Sequence, residues 1–192
     1  HHFHDFKKQG VPTDALALAR LADISGTMSF EALRGTLHAF DERVHAARPH
    51  PGQVKVAANL RRLLESSEVA ERYRDYRVQD ALSLRAMPQV HGACRDQLEH
   101  VLRTFEIEFN ACTDNPTIYD SPEGPVLISA NNAHGAPLGL GLDQLAIATA
   151  ELADIAERRI DRLVNHHVNE LPAFLVEGSG LNSGFMIPQY VA

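Results

Sequence analysis

The sequence predicts an all-α fold, a long-helix bundle with little strand, and two patterns carry this prediction. From Gln89 to Asn110, and again from about Gly135 to Val164, apolar residues recur at three- and four-residue steps, which is the spacing of one helix face. The composition agrees, because Trp is absent and aromatic residues make up only 6% of the chain, so that Ala and Leu dominate the core. Long helices with short connections are typical of a helical bundle.

Shorter helices are predicted before the two long ones. An Ala- and Leu-rich helix should run from Asp14 to about Ala22, and a break at Ser25-Gly26-Thr27 should separate it from a second helix. Pro51 should open a helix that covers Val54 to Leu64, because proline is favoured in the first helical turn. The charged stretch from Glu65 to Arg77 is interpreted as a solvated connector.

The remaining elements follow the first long helix. Asn115-Pro116 should end that helix, because the residue before a proline favours an extended backbone. Thr117 to Tyr119 and Val126 to Ile128 are apolar and flank a Pro- and Gly-containing turn, so we expect a short hairpin. A further helix should start within Asn182 to Ile187.

Composition and charge exclude several functional classes. The net charge is −7 with no basic stripe, which argues against nucleic-acid binding. No apolar run reaches the roughly 18 residues of a membrane span, and no secretory signal is visible. Cys94 and Cys112 fall on what is interpreted as one helix, where a separation of roughly 27 Å would prevent a disulfide. Free thiols favour a cytoplasmic protein.

One segment, from Val78 to Gly92, sets polar residues into an otherwise apolar run. If it is helical, Gln79 and Arg85 fall close to one face. An arginine there can hold a carboxylate with two parallel hydrogen bonds, while glutamine offers a neutral donor and acceptor. Pro88 should interrupt the helix. Two interpretations stay open at this point: a carboxylate-binding cluster at a helix break, or a helical turn with a surface arginine.

This segment resembles the V-Q-D-x-Y-S-L-R-x-x-P-Q-V-x-G motif of the aromatic amino acid ammonia-lyases, the histidine and phenylalanine ammonia-lyase family. Further segments resemble that family in the same order, from about residue 14 to the end. These segments are Thr113 to Pro116, Ser129 to Gly135, Leu171 to Val176 and Gly180 to Ile187. The similarity is closest to the histidine branch at Glu157 to Ile160 and Arg48 to Gln53.

The resemblance implies a fold, an activity and a set of substrate-binding residues. It implies long central helices that pair across subunits, hence a homo-oligomer, dimer or tetramer, acting on an aromatic amino acid. Gln79, Arg85 and Asn115 match positions that the family uses to bind substrate. Arg85 would hold the carboxylate, and the two amides would add neutral hydrogen bonds. For Asn115, turn chemistry before Pro116 is the competing explanation.

The family's cofactor is a methylidene-imidazolone electrophile made from an internal Ala-Ser-Gly, and this chain has no such triplet. Gly178-Ser179-Gly180 is the most suggestive Ser-Gly sequence, but it falls where the family has an ordinary loop. We therefore expect no cofactor and no catalytic residue in this chain, which resembles a central fragment of a histidine ammonia-lyase-like enzyme and should be inactive alone. The alternative is a non-catalytic helical oligomerisation or interaction module of the same fold.

Two positions depart from the family pattern inside the matched region. Leu82 stands where the family has the tyrosine of its Q-D-x-Y-S-L-R segment, so a phenolic hydroxyl is lost. Ala133 stands where the family has phenylalanine, so an aromatic wall for the substrate ring is lost. Both leave open which amino acid is the substrate.

Residues 1–12 do not match the family, and residues 13–192 are interpreted as the helical core. His1, His2 and His4 could form a metal site, whereas a terminal histidine run is also typical of a tag. No other set of residues has metal-ligand spacing, so no metal is predicted. His91 is interpreted as a core histidine, and His134 as a cap of the second long helix.

Overall fold

The computed structural model describes residues 11–192, with side chains from residue 14 onward. Its helices are α1 (Val11–Ala32), α2 (Glu42–Ala46), α3 (Pro51–Leu63), α4 (Glu68–Arg72), α5 (Leu82–Arg85), α6 (Met87–Asn110), α7 (Ala136–Val164) and α8 (Met186–Val191). Leu37–Phe40 and Ala173–Leu175 are short 3-10 helices, and the strands are β1 (Thr117–Tyr119) and β2 (Val126–Ile128). The all-α prediction is confirmed, since 63% of the described residues are helical. The histidines of the predicted tag lie in residues 1–10, outside the described residues.

Helix α1 is continuous, so the predicted break at Ser25-Gly26-Thr27 is wrong. The hydroxyl of Thr27 donates to the Asp23 carbonyl at 2.7 Å, and that of Ser29 to the Ser25 carbonyl at 2.9 Å. These residues thus bond back to the preceding turn and need not end the helix. A Cβ on Gly26 would lie 2.5 Å from the sulfur of Met87, so this glycine serves close packing between helices.

The core forms where α1, α3, α6 and α7 pack on one another, with α6 in contact with the other three. One cluster joins α1 and α3 to the α5–α6 junction and contains Phe30, Leu33, Phe40, Val56, Leu60, Leu64, Ala70, Leu84 and Met87. A second cluster joins α1, α6 and α7 and contains Ala15, Ala19, Cys94, Leu98, Leu145, Ala148 and Leu152. A third, at the far end of α6, contains Val101, Phe105 and Leu138. One apolar face of α7 is therefore buried in the protein core.

Two glycines allow α3 and α6 to touch through their backbones. A Cβ on Gly92 would lie 2.3 Å from the backbone nitrogen of Gln53, and a Cβ on Gly52 would lie 2.1 Å from the carbonyl oxygen of Gly92. No side chain fits between these segments. The start of α3 is further fixed because the Gly52 N–H donates to the carboxylate of Asp96 at 2.8 Å.

The predicted interruption near Pro88 is confirmed, with a short helix on one side of the junction and a long helix on the other. α5 ends at Arg85, Ala86 takes a non-helical backbone (φ −92°, ψ 6°), and α6 begins at Met87 with Pro88 in its first turn. Proline is tolerated there because the first helical N–H groups have no partner within the helix.

The second long helix and the hairpin also agree with the sequence prediction. α7 has 29 residues, which corresponds to roughly 44 Å. In the hairpin, Thr117 pairs with Ile128 and Tyr119 with Val126. Two boundaries differ from the prediction: Cys112 lies beyond the end of α6, and α8 begins only at Met186. Both cysteines are free, as predicted.

Candidate carboxylate-binding site

The structure brings Gln79 and Arg85 together at the start of α5. Gln79 precedes the helix and is exposed, while Arg85 is its last residue and is half-buried. With its amide oxygen turned toward the guanidinium, Gln79 places that oxygen 3.3, 3.0 and 3.0 Å from Nε, Nη1 and Nη2 of Arg85. Nε, Nη1 and Nη2 surround Cζ in one plane. An oxygen placed in that plane, outside the group, could be close to two of these nitrogens but not to all three. The oxygen therefore lies over the face of the guanidinium.

This geometry leaves the edges of the Arg85 guanidinium directed away from the Gln79 oxygen. A carboxylate binds arginine in the guanidinium plane, through two parallel N–H···O bonds. Gln79 adds no charge that would repel such an anion. The pair therefore suits an anionic planar group such as the carboxylate of an amino acid.

Asn115 lies at the opposite end of α6 and is not brought to the other two predicted residues. It follows the last residue of that helix by five positions, whereas Arg85 precedes the first by two. The 24 residues of α6 span roughly 36 Å. Asn115 Oδ1 accepts from the Ala130 N–H at 2.8 Å and from the Ser129 hydroxyl at 3.4 Å, and thus ties the helix end to the hairpin. This is a tertiary contact with residues 14 and 15 positions further along the chain, and not the local turn before Pro116 that the sequence left open.

Two positions that depart from the family pattern face solvent. Leu82 is 66% exposed at the start of α5, and Ala133 lies in the exposed loop before α7. Leu82 borders an open cleft of about 350 Å³ between α5 and α7, whose wall also includes Val90 and Ile155. Gly135 is the N-cap of α7, and His134 accepts from the first helical N–H, that of Ala136, through Nδ1 at 3.2 Å, so the predicted contact with the helix start is present.

A buried ionic network, which the sequence analysis missed, lies directly beneath α5. Asp23 accepts from His91 Nδ1 at 2.9 Å and from Arg95 Nη2 at 2.6 Å. Arg159 Nη1 lies 3.3 Å from His91 Nε2 and also donates to the Ser83 carbonyl of α5 at 3.4 Å. Because arginine only donates, Nε2 accepts and the His91 proton sits on Nδ1. The prediction of His91 as a satisfied core histidine is confirmed.

The network sets the protonation of its members. Burial lowers the pKa of His91, although its hydrogen bond to Asp23 acts in the opposite direction. Burial alone would raise the pKa of Asp23, but the His91 hydrogen bond and the charge of Arg95 lower it overall. Burial lowers the pKa of Arg159 to about 10, which still leaves it charged near pH 7. Arg95 contacts the Asp23 carboxylate directly, whereas Arg159 is stabilised by the charge of that carboxylate without a hydrogen bond to it. Arg95 Nε and Arg159 Nη2 have no hydrogen-bond partner.

The three Ser-Gly pairs offer no fit for an electrophile made from Ala-Ser-Gly. Ser25-Gly26 lies inside α1. Gly178-Ser179-Gly180 and Ser183-Gly184 lie in an exposed segment before α8. None of the three serines is preceded by alanine, and we derive no chemical step through such a group.

The described residues contain neither a metal-binding cluster nor a helix able to span a membrane. No group of three or more His, Cys, Asp or Glu side chains there is arranged to hold a metal ion. None of the helices in this range has the length and hydropathy needed to cross a bilayer.

Comparison with known proteins gives one consistent result. The family model for aromatic amino acid lyase matches residues 11–192. The histidine ammonia-lyase of Koribacter versatilis (strain Ellin345) is 53% identical over 191 residues, covering 93% of this chain and 37% of that protein. The crystal structure of histidine ammonia-lyase from Trypanosoma cruzi has a TM-score of 0.81 and 42% identity, over 94% of this chain and 34% of that one.

Tyrosine aminomutase from Streptomyces globisporus is also similar, with a TM-score of 0.84 and 38% identity, over 94% of this chain and 38% of that one. The chain thus spans about a third of the length of the curated relatives it matches.

Proposed function

The chain belongs to the aromatic amino acid lyase family, and on that premise we propose that it forms the central part of an enzyme that eliminates ammonia from L-histidine. Another aromatic amino acid is the alternative substrate, because Leu82 and Ala133 replace two residues of the family pattern. The observation that carries the proposal is the Gln79–Arg85 pair, which offers in-plane guanidinium donors to a carboxylate.

Three residues take substrate-binding roles in this proposal. Arg85 holds the substrate carboxylate by charge and by two hydrogen bonds. Gln79 keeps the guanidinium oriented and contributes a neutral hydrogen bond. Asn115 contributes its amide from a different copy of the chain, because α6 separates it from Arg85 within one copy by roughly 36 Å. The free Cys94 and Cys112 are in keeping with a cytoplasmic enzyme.

The separation of Asn115 from Arg85 supports a homo-oligomeric assembly. Even a fully extended five-residue loop covers only about 17 Å, so Asn115 cannot return along α6 to the Arg85 of the same copy. Antiparallel packing of two copies would bring the opposite ends of α6 together. We therefore propose that a complete site needs at least two copies of the chain.

A hybrid enzyme tests the proposed function. In the Koribacter versatilis histidine ammonia-lyase, the segment that aligns with this chain is replaced by the corresponding residues of this chain, and urocanate formation from L-histidine is followed by ultraviolet absorbance. We expect activity from the hybrid, and a further increase when Leu82→Tyr and Ala133→Phe restore the family residues. The 192-residue chain alone should form no urocanate, since it contains no Ala-Ser-Gly.

Arg85→Gln in the hybrid should reduce kcat/KM by about a hundredfold or more, because a charge-assisted bidentate contact is lost. Arg103→Gln is the matched control, because Arg103 is an exposed arginine of α6 away from this site. Equal activities of the two variants would contradict the role of Arg85.

The second candidate is a non-catalytic helical module of the same fold. Leu82, Ala133 and the missing Ala-Ser-Gly favour it. A folded hybrid without activity, even after both family residues are restored, would support the module and contradict the enzyme.

A further inference from the structure

The connection that leads into Gln79 is attached to the rest of the protein mainly at the surface, through pairs such as Asp75 with His38 and Tyr76 with Glu170. No helix or strand lies between Arg72 and Leu82. Within residues 71–80, Asp80 is the single buried residue: its exposure is 5%, whereas Val78 is fully exposed. Tyr76 is tied to Glu170, but at the surface and farther from Gln79. The carboxylate of Asp80 is therefore the buried attachment next to Gln79.

Asp80 is attached to a single residue of another segment. Its Oδ2 accepts from the backbone N–H of Thr36 at 2.7 Å and from the Thr36 hydroxyl at 3.1 Å. Its Oδ1 has no hydrogen-bond partner and lies 3.8 Å from Nε of Arg77. Burial of a carboxylate is costly unless hydrogen bonds offset it, so an apolar residue would suit this position better if only packing mattered.

Thr36 is a rigid point of attachment. It is 3% exposed, and it follows Gly35, whose backbone lies against the ring of Phe30. A Cβ on Gly35 would come within 2.3 Å of that ring, so the chain cannot shift toward it. Phe30 is fully buried in the largest core cluster. Through Thr36, Asp80 is thus fixed to the core.

We propose that Asp80 is a positioning residue for the carboxylate-binding pair, which rests on the proposed function of Gln79 and Arg85. By holding the backbone between Gln79 and Ala81 against Thr36, it keeps the Gln79 amide over the Arg85 guanidinium. It also fixes Ala81, whose carbonyl accepts the Arg85 N–H at 3.0 Å and so starts α5. Without this attachment Gln79 is free to leave, and the guanidinium loses its fixed orientation.

The test compares four variants of the 192-residue chain. Asp80→Ala removes both contacts to Thr36, whereas Asp80→Asn keeps an oxygen that can accept them. Thr36→Val removes only the hydroxyl. Asp75→Ala is the matched control, because it removes an acidic side chain of the same connection that is 83% exposed. Helicity by circular dichroism establishes that each variant is folded.

The first measurement needs no ligand. In ¹⁵N-labelled chain, the Nε–Hε signal of Arg85 reports how firmly its guanidinium is held. We expect the ¹⁵N order parameter of this bond to fall in Asp80→Ala, from a rigid value of about 0.8 to below about 0.6, because the Gln79 amide no longer rests on the guanidinium. Asp80→Asn should keep the order parameter within about 0.1 of the wild type, and Asp75→Ala should match the wild type. Thr36→Val should fall between Asp80→Asn and Asp80→Ala.

The second measurement is titration with L-histidine, with imidazole as the probe that lacks a carboxylate. Asp80→Ala should weaken L-histidine binding about tenfold and leave imidazole unaffected. If the wild type binds no L-histidine but the Arg85 signal responds to Asp80→Ala, the positioning role stands, and the hybrid enzyme then decides the proposed function.

An Arg85 signal that is the same in Asp80→Ala and in the wild type would overturn the inference. If Asp80→Ala does not fold, the same measurement is made on Thr36→Val. An Arg85 signal that is unchanged in that variant overturns the inference as well.

Discussion

At the scale of single residues, the buried ionic network is the least expected feature of the protein. Asp23 is 3% exposed and faces both Arg95 and His91. A buried carboxylate that balances more than one guanidinium is difficult to replace, because its loss leaves positive charge without compensation in the core. The network therefore stabilises both the α1–α6 contact and the α5 backbone at Ser83.

Asp23→Asn should lower the free energy of unfolding by about 3 kcal/mol, because Arg95 and Arg159 then lack a counter-charge. Urea unfolding followed by circular dichroism measures this change. Asp75→Asn, at an exposed pair with His38, should stay within about 0.5 kcal/mol of the wild type. Equal stability of the two variants would contradict the importance of the network.

The buried histidines predict how stability depends on pH. Burial lowers the pKa of both His91 and His45 in the folded protein. Below the unfolded value of about 6.5, the unfolded chain therefore binds more protons than the folded one. The free energy of unfolding should then fall as the pH drops below about 6.5, by at most about 1.4 kcal/mol per pH unit for each histidine.

Urea unfolding between about pH 8 and pH 5 measures this slope. The double variant His45→Gln and His91→Gln should flatten it, whereas His38→Gln, which changes an exposed histidine, should not. A slope that survives unchanged in the double variant would refute this explanation.

At the scale of elements, the contact between α3 and α6 depends on two glycines. A methyl group on Gly92 would lie 2.3 Å from the backbone of Gln53. Neither segment can yield without moving a whole helix, since the contact is between backbones. Glycine at these positions therefore sets the distance between the two helices.

Gly92→Ala should destabilise the protein by about 3 kcal/mol or prevent folding, as overpacking against a backbone does. Gly139→Ala is the control, because a Cβ at that helical position meets nothing within 4 Å. It should stabilise by about 0.5–1 kcal/mol, the usual gain of alanine over glycine in a helix. Thermal unfolding measures the stability of both variants. A Gly92→Ala variant as stable as the wild type would contradict the packing argument.

The elements also show what the sequence can and cannot predict. α6 and α7 were predicted because their apolar residues repeat with the helical period, and the hairpin because two apolar stretches flank a turn. The continuous helix α1 was not predicted, because serine and threonine side chains that bond to preceding carbonyls occur both inside helices and at their ends. The partners of Asp23 lie 68 and 72 positions away in the chain. No local pattern reports such a contact, whereas Gln79 and Arg85 lie within one short segment.

At the scale of the whole molecule, the surface of α7 bears on the proposed assembly. Leu145 and Leu152 are buried in the second core cluster, whereas Leu140 and Ile147 are 66% and 71% exposed and lie seven positions apart. A seven-residue spacing keeps two side chains on nearly the same helix face. One face of α7 thus packs internally, and another presents apolar side chains outward.

We predict an oligomer whose mass is a multiple of 21.2 kDa, measured by light scattering coupled to size exclusion. Ile147→Glu should lower the mass and keep the helicity, because it places a charge on an exposed apolar face. Leu145→Glu should unfold the chain instead, since Leu145 is core. A monodisperse wild type of 21.2 kDa that is stable on dilution would contradict the assembly.

The central position of α6 also limits where the chain can change length. One inserted residue in an α-helix turns everything after it by about 100° and advances it by about 1.5 Å. In α6 such an insertion would rotate Phe105 away from Leu138 and redirect the segment that carries Asn115. The loop between β1 and β2 is largely exposed. Insertions and deletions should therefore be tolerated in that loop. In α6 they should not, because the helix packs against α1, α3 and α7.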